Sequence, residues 1–258
     1  MNRLANKVAL VTGGSRGIGR AIAERLAADG AIVAVNYTTN AEKAAEVVKE
    51  IKRNGGAAFV AGADIAQPDQ VEAMFVHIDS ELARLGLPPE LDILVNNAGV
   101  TGAIPLTVAK LDEIDRIMKI NLYGTLQVTQ RATDRLRDGG RIITISTGSV
   151  AHPSPRNGIY AMSKAALHAM TLALACELGP RSITVNAVIP GWTATDITAS
   201  ALHDAAIRDR VVASTALGRI GQPGDIAAAT AFLASEDAQW VTGQFIEASG
   251  GYKLLPPV

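Results

Sequence analysis

The sequence predicts an α/β fold, a single doubly wound domain around a seven-stranded parallel sheet. Short β-branched apolar runs alternate with longer, alanine-rich amphipathic stretches almost from end to end. Six of the seven runs are near-continuously apolar, as strands must be when helices cover both faces of a parallel sheet. No linker-like, low-complexity or repeated segment divides the 258 residues, so 1–258 reads as one domain.

The elements follow in order. KVALVT (7–12) is the first strand, and the glycine-rich turn TGGSRGIG (12–19) leads from it into the first helix. AIVAVNY (31–37) is the second strand, followed by the helix AEKAAEVVKEIKRNGG. Both helices stop at glycine, which most readily takes the left-handed conformation past a helix end. The remaining strands are AAFVAG (57–62), LDILVNN (91–97), GRIITIS (140–146), SITVNAVI (182–189) and GQFIEAS (243–249). The segment 107–136 and the stretch around Tyr160 read as two long helices. ELARLGLPPELD (81–92) is a longer connection than this layout needs and reads as a surface elaboration.

Composition excludes several classes. A net charge of −1 without a basic run argues against a nucleic-acid partner or an anionic membrane surface. No stretch reaches the roughly 18 to 20 uninterrupted apolar residues of a membrane span. The amino terminus has no leader pattern, so a cytoplasmic protein is expected. Cys176, the single cysteine, sits in an apolar helical pattern and is expected in the core. The histidines at 77, 152, 168 and 203 are scattered, which predicts no metal site, and His152 alone falls near the presumed reaction centre.

The turn after the first strand carries the first functional signal. Glycines at 13, 17 and 19 permit a tight turn and let the backbone approach a pyrophosphate at the helix amino terminus, in a Rossmann-type arrangement. Gly13, Ser15, Arg16, Gly17, Ile18 and Gly19 make up that cradle. An acidic residue at the end of the second strand would bond a ribose 2′-hydroxyl and repel a phosphate. Here the strand ends Asn36, Tyr37, Thr38, with no acid before Glu42, and Arg16 stands within reach. NADP(H) is therefore the expected cofactor.

TGGSRGIG, NNAG (96–99), IYAMSK (159–164) and IPGWTATD (189–196) occur in that order, with GRIGQPGDIA and GQFIEASGGY beyond. Taken together the chain resembles the short-chain dehydrogenases/reductases over nearly its whole length, most of all the 3-oxoacyl-carrier-protein reductase-type ketoreductases. The resemblance implies that Asp64 and Ile65 contact the adenine. It implies that Asn97, Ala98 and Gly99 line the nicotinamide side, and that Pro190, Gly191 and Thr193 bracket the carboxamide. Asn121 would hold a water that relays protons to the lysine, or else only satisfy backbone groups in a helix kink. The segment 192–216 would be a substrate lid, with Trp192, Ile197 and Leu202 as an apolar wall or as packing residues. The 107–136 helix and the Tyr160 helix would form a dimer interface in a homotetramer.

Tyrosine and lysine four apart share a helix face. A phenol of ordinary pKa near ~10 needs neighbouring positive charge before it exchanges protons readily at neutral pH. Tyr160 would then give its proton to a carbonyl oxygen, Lys164 would lower the phenol's pKa and bond the nicotinamide ribose, and a small hydroxyl would hold the oxygen. Family members place that hydroxyl thirteen residues before the tyrosine; here this is Thr147 where serine is usual, with Ser149 as the second candidate and Ser146 as the last. The expected function is NADPH-dependent reduction of a ketone or 3-oxoacyl thioester. The alternatives are an NAD-dependent alcohol dehydrogenase of the same fold and a non-catalytic NADP-binding regulatory protein. Related enoyl reductases space tyrosine and lysine seven apart, which sets enoyl-thioester reduction behind these.

Overall fold

Seven parallel strands form one sheet in the order β3-β2-β1-β4-β5-β6-β7 in the computed structural model, which describes residues 3–254. The strands are β1 (Val8–Val11), β2 (Ile32–Tyr37), β3 (Ala57–Gly62), β4 (Leu91–Asn96), β5 (Leu136–Ile145), β6 (Thr184–Pro190) and β7 (Phe245–Ala248). The helices are α1 (Gly17–Ala28), α2 (Ala41–Arg53), α3 (Pro68–Arg84), α4 (Leu111–Met118), α5 (Thr125–Thr133), α6 (Gly158–Leu178), α7 (Asp196–His203), α8 (Ala205–Ala213) and α9 (Pro223–Ala234).

Strand alternation divides the apolar side chains between two cores. Val11, Val33, Val35, Ile93 and Val95 face α1, α2 and α9, while Leu10, Ala34, Leu94 and Val185 face α3, α5 and α6. Each fully buried Leu, Ile or Val contributes on the order of 1.5–3 kcal/mol. Chain order reverses between β1 and β4, so the crevice beyond their carboxyl ends is where this architecture binds ligands.

Four expectations need correction. The predicted 107–136 helix is shorter and locally widened: it runs without interruption from 111 to 133, α4 and α5 being joined by a π-helical segment, Lys119–Gly124, and Leu106–Val108 is a separate 3₁₀ turn. Gly124 lies against β3's exit, where a Cβ would stand 2.7 Å from the Ile65 carbonyl oxygen. The 81–92 stretch is no elaboration, because α3 runs to Arg84 and a short loop, closed by Arg137–Glu90 at 2.6 Å, joins it to β4. β5 begins at Leu136 rather than 140, since Leu136 pairs with Leu91 before an irregularity at Gly139 and Gly140. Cys176 is exposed on α6 rather than buried.

α6 is long and apolar enough by composition to pass for a membrane span. Its buried face, Ile159, Ser163, Lys164, Leu167 and Thr171, packs on the sheet, which identifies it as a core helix.

Candidate active site

The glycine turn is held from both sides. Gly13, at φ +62°, donates its N–H to Asn36 Oδ1 at 3.1 Å, and Gly14 donates to the Asn36 carbonyl at 2.8 Å. From the other strand, Asn97 Nδ2 donates to the carbonyls of Thr12 (2.9 Å) and Gly13 (3.1 Å), while the Asn97 and Ala98 N–H groups donate to Thr12 Oγ1. Gly19 allows the helix to sit against the turn, since a Cβ there would come within 2.2 Å of the Gly13 carbonyl oxygen. Arg16, the N-cap of α1, is extended and no side chain caps the helix. The first-turn N–H groups of Gly17, Ile18 and Gly19 therefore point outward with the positive end of the helix dipole, and Ser15 is half-buried beside them. This cradle fits a pyrophosphate.

Asn36 is not a ribose ligand. Its side chain is buried, donating to the carbonyls of Ala61 (2.9 Å) and Ala63 (3.2 Å), so it shapes the turn from below. Tyr37 is half-buried against Gly62, and Thr38 is exposed beside it. Arg16 lies 3.6 Å from Asp196, and both side chains are more than half exposed, so the pair is weak and the guanidinium is open to a better anion. Asp64 accepts from the Ala66 N–H at 2.9 Å in a local turn. Ile65 is buried, which leaves little of its side chain for an adenine.

At the β4 exit, the buried Asn121 accepts the Val100 N–H at 2.8 Å and donates to the Val100 carbonyl at 2.9 Å and Ser163 Oγ at 3.0 Å. Its side chain is thus committed, and only its backbone carbonyl, which accepts from Thr125 Oγ1, could hold a water. Gly99 passes so close that a Cβ would meet Asn121 Oδ1 at 3.2 Å and Lys164 Nζ at 3.5 Å. Beyond β6, Gly191 donates to the Ala248 carbonyl, and the buried Thr193 donates its hydroxyl to the Gly191 carbonyl at 3.1 Å.

The three hydroxyls after β5 diverge. Thr147 is the one whose hydroxyl neighbours the Tyr160 phenol, and its Oγ1 accepts the Ser149 N–H at 3.2 Å. Ser149 Oγ is taken by Asn157 Nδ2 at 2.9 Å. Ser146 is buried and faces His168, Oγ to Nε2 at 2.7 Å. Lys164 Nζ is buried and donates to the Ile145 carbonyl at 2.8 Å; burial brings its pKa down to about 8, so it is still mostly an ammonium at pH 7. The expected lowering of the Tyr160 pKa by Lys164 is not what this arrangement produces. Burial raises the phenol above its ordinary value and the neighbouring Thr147 hydroxyl only partly offsets that, which keeps Tyr160 protonated. Leu106, which packs against Gly158 at the start of α6, is exposed, as are Val108 and Ile197, while Trp192 and Leu202 are half-buried.

Sequence reasoning missed Thr12, Ser163 and His168. Thr12 carried a signal, a hydroxyl residue closing β1 directly before the glycines. His168, not the exposed His152, is the histidine at the centre.

A glycine turn shaped to take a pyrophosphate, together with a half-buried tyrosine and a buried lysine four residues apart, defines a nucleotide-dependent oxidoreductase. The family model described as enoyl-(acyl carrier protein) reductase matches residues 13–253. An uncharacterised oxidoreductase of Methylorubrum extorquens is 42% identical over 254 residues, 98% of this chain and 100% of the relative. The 3-oxoacyl-[acyl-carrier-protein] reductase FabG of Staphylococcus aureus is 43% identical, covering 95% of this chain and 97% of its own. The angucycline C-6 ketoreductase LanV, solved with bound NADP, superposes with a TM-score of 0.92 at 43% identity, 98% of each chain being covered. A second LanV structure holds NADP and rabelomycin, with a TM-score of 0.88 and 98% of each chain covered at 43% identity. The chain belongs to the short-chain dehydrogenase/reductase family.

Proposed function

We propose that the chain uses NADPH to reduce an apolar ketone to a secondary alcohol, with Tyr160 as proton donor. The observation that carries this reading is the convergence at the end of β5, where Thr147 neighbours Tyr160, Lys164 is anchored on the Ile145 carbonyl, and Gly99 passes close to the Lys164 ammonium. When bound, NADPH supplies the hydride. Tyr160 gives its phenolic proton to the carbonyl oxygen, and Thr147 holds that oxygen and stabilises its developing charge. Lys164 keeps a cation beside the site as the phenol loses its proton, and Asn121, through its backbone carbonyl, holds the water that returns one. Gly13, Ser15, Gly17, Ile18, Gly19, Asn97 and Gly99 form the cofactor's seat, with Pro190, Gly191 and Thr193 at its nicotinamide end. The NADP-bound LanV relatives and FabG support the cofactor and the ketone class.

The exposed apolar side chains of Leu106, Val108 and Ile197, taken as the wall of the substrate site, would suit a polycyclic aryl ketone or a 3-oxoacyl thioester better than a sugar. Residues 192–216, including α7 and α8, act as the lid over it. The four-residue Tyr160–Lys164 spacing favours carbonyl over enoyl reduction, whatever the family model's description. The reaction is set in the cytoplasm. The test is NADPH consumption over aryl ketones, acetoacetyl thioesters, sugar ketones and enoyl thioesters: activity on one of the first two supports the reading, and activity on enoyl thioesters alone overturns it.

Cofactor choice follows from Arg16. NADPH is expected to be preferred over NADH, and Arg16→Ala should weaken NADPH more than NADH. Equal kinetics with both cofactors in the parent protein would contradict this.

Assembly follows from α6. Met162, Ala165, Ala169, Leu172 and Cys176 form an exposed apolar stripe, with Leu111 and Tyr123 exposed on the α4 side. Small residues there allow a second copy to pack closely, and a homotetramer built on that dimer is the expected state. A monomer by light scattering at micromolar concentration would rule it out.

A further inference from the structure

We infer that Ser146 and His168 are a positioning pair for the reaction proposed above, fixing the end of β5 so that Thr147 meets Tyr160 and the Ile145 carbonyl meets Lys164. Tyr160, Lys164 and His168 recur every four residues along α6 and so form one stripe on its sheet-facing side. Three consecutive residues at the end of β5 answer them. Ile145 accepts from Lys164 through its carbonyl, Ser146 bonds His168 through its hydroxyl, and Thr147 sets its hydroxyl beside the Tyr160 phenol. The ladder to β6 stops here: the last tie is the Ser146 N–H to the Val188 carbonyl at 2.8 Å, and Thr147 leads directly into a 3₁₀ turn. The central bond, Ser146 Oγ to His168 Nε2 at 2.7 Å, therefore fixes the one residue that lies between the two catalytic contacts.

The pair is itself held. Ser146 is buried, and the His168 ring lies against Phe245 of β7 with centroids 4.4 Å apart. Burial and then the charge of Lys164 push the His168 pKa below its ordinary value, so the imidazole is neutral at pH 7. A neutral imidazole offers one donor and one acceptor nitrogen, so it can serve the serine hydroxyl without adding a second cation beside Lys164. An aliphatic residue at 168 would leave the buried hydroxyl without a partner and the strand end free to shift.

The test compares His168→Leu, His168→Gln, Ser146→Ala and the Ser146→Ala/His168→Leu double variant. His168→Leu and Ser146→Ala should each lower kcat roughly 10-fold with KM for NADPH unchanged, and the double variant should be no slower than either single one. Gln, whose amide can take the place of Nε2, should restore kcat. Independently of turnover, the Tyr160 phenol in the NADP⁺ complex is titrated by difference absorbance against Tyr160→Phe. Its pKa should rise in His168→Leu and not in His168→Gln, because only the former loosens Thr147. Additive losses, no rescue by Gln, or a lower Tm with kcat and the phenol titration unchanged would overturn the pairing. If Tyr160→Phe keeps its rate, the proposed reaction fails while the titration still decides the pairing; if Tyr160→Phe is crippled and His168→Leu is parental in both readouts, the pairing alone fails.

Discussion

Tyr160→Phe should lower ketone turnover at least ~10²-fold, the typical cost of losing an acid–base catalyst. The substitution keeps the ring and its packing and removes only the proton. In the parent that proton is held in readiness, because burial keeps the phenol above its ordinary pKa and the neighbouring Thr147 hydroxyl, which favours the phenolate, offsets this only in part. Lys164, with a pKa of about 8, still carries most of its charge at pH 7 and can stabilise the phenolate left behind. NADPH binding, read by fluorescence titration, should stay near parental, which locates the loss in the chemical step. Carbonyl reduction at a near-parental rate would mean that the tyrosine–lysine spacing is accidental.

Thr147→Val is expected to cost roughly 10²-fold in kcat, the scale of removing one donor to a developing oxyanion. Valine reproduces threonine's shape and β-branch, so packing and the stiff χ1 survive while the hydroxyl is lost. Thr147→Ser should retain activity. Ser149→Ala should cost little, because Ser149 Oγ is already occupied by Asn157 and does not face Tyr160. A crippling Ser149→Ala beside a mild Thr147→Val would show that the loop takes another register in the working enzyme.

Much of this was legible in the residues. The apolar runs located all seven strands, because a strand covered on both faces has no polar alternative, and the glycines at 13, 17 and 19 marked the turn. Asn36 was misread because a position near the end of a strand does not by itself say to which face a side chain points. Alternation did carry that information: Asn36 shares Ala34's face, which is the face packed on α3, and its amide reaches Met74. The early start of β5 was hidden behind RDGG, which reads as a turn although Leu136 before it still pairs with Leu91. A helix kink at Asn121 was one of the two readings of that residue, and the π-helical segment that contains it coincides with the long-range approach of Gly124 to Ile65. His168 likewise has its partner 22 positions away, across a strand-to-helix connection that spacing cannot measure.

The central claim is hydride transfer to a ketone, and isotopic labelling tests it most directly. The protein is incubated with NADPH carrying deuterium at the transferable position and the ketone most active in the substrate panel, and the alcohol is analysed by mass spectrometry and NMR. One deuterium on the carbinol carbon for each NADPH consumed is the predicted result. Tight NADPH binding with no deuterated alcohol from any ketone or 3-oxoacyl thioester would contradict the account and point instead to a nucleotide-binding protein without this chemistry.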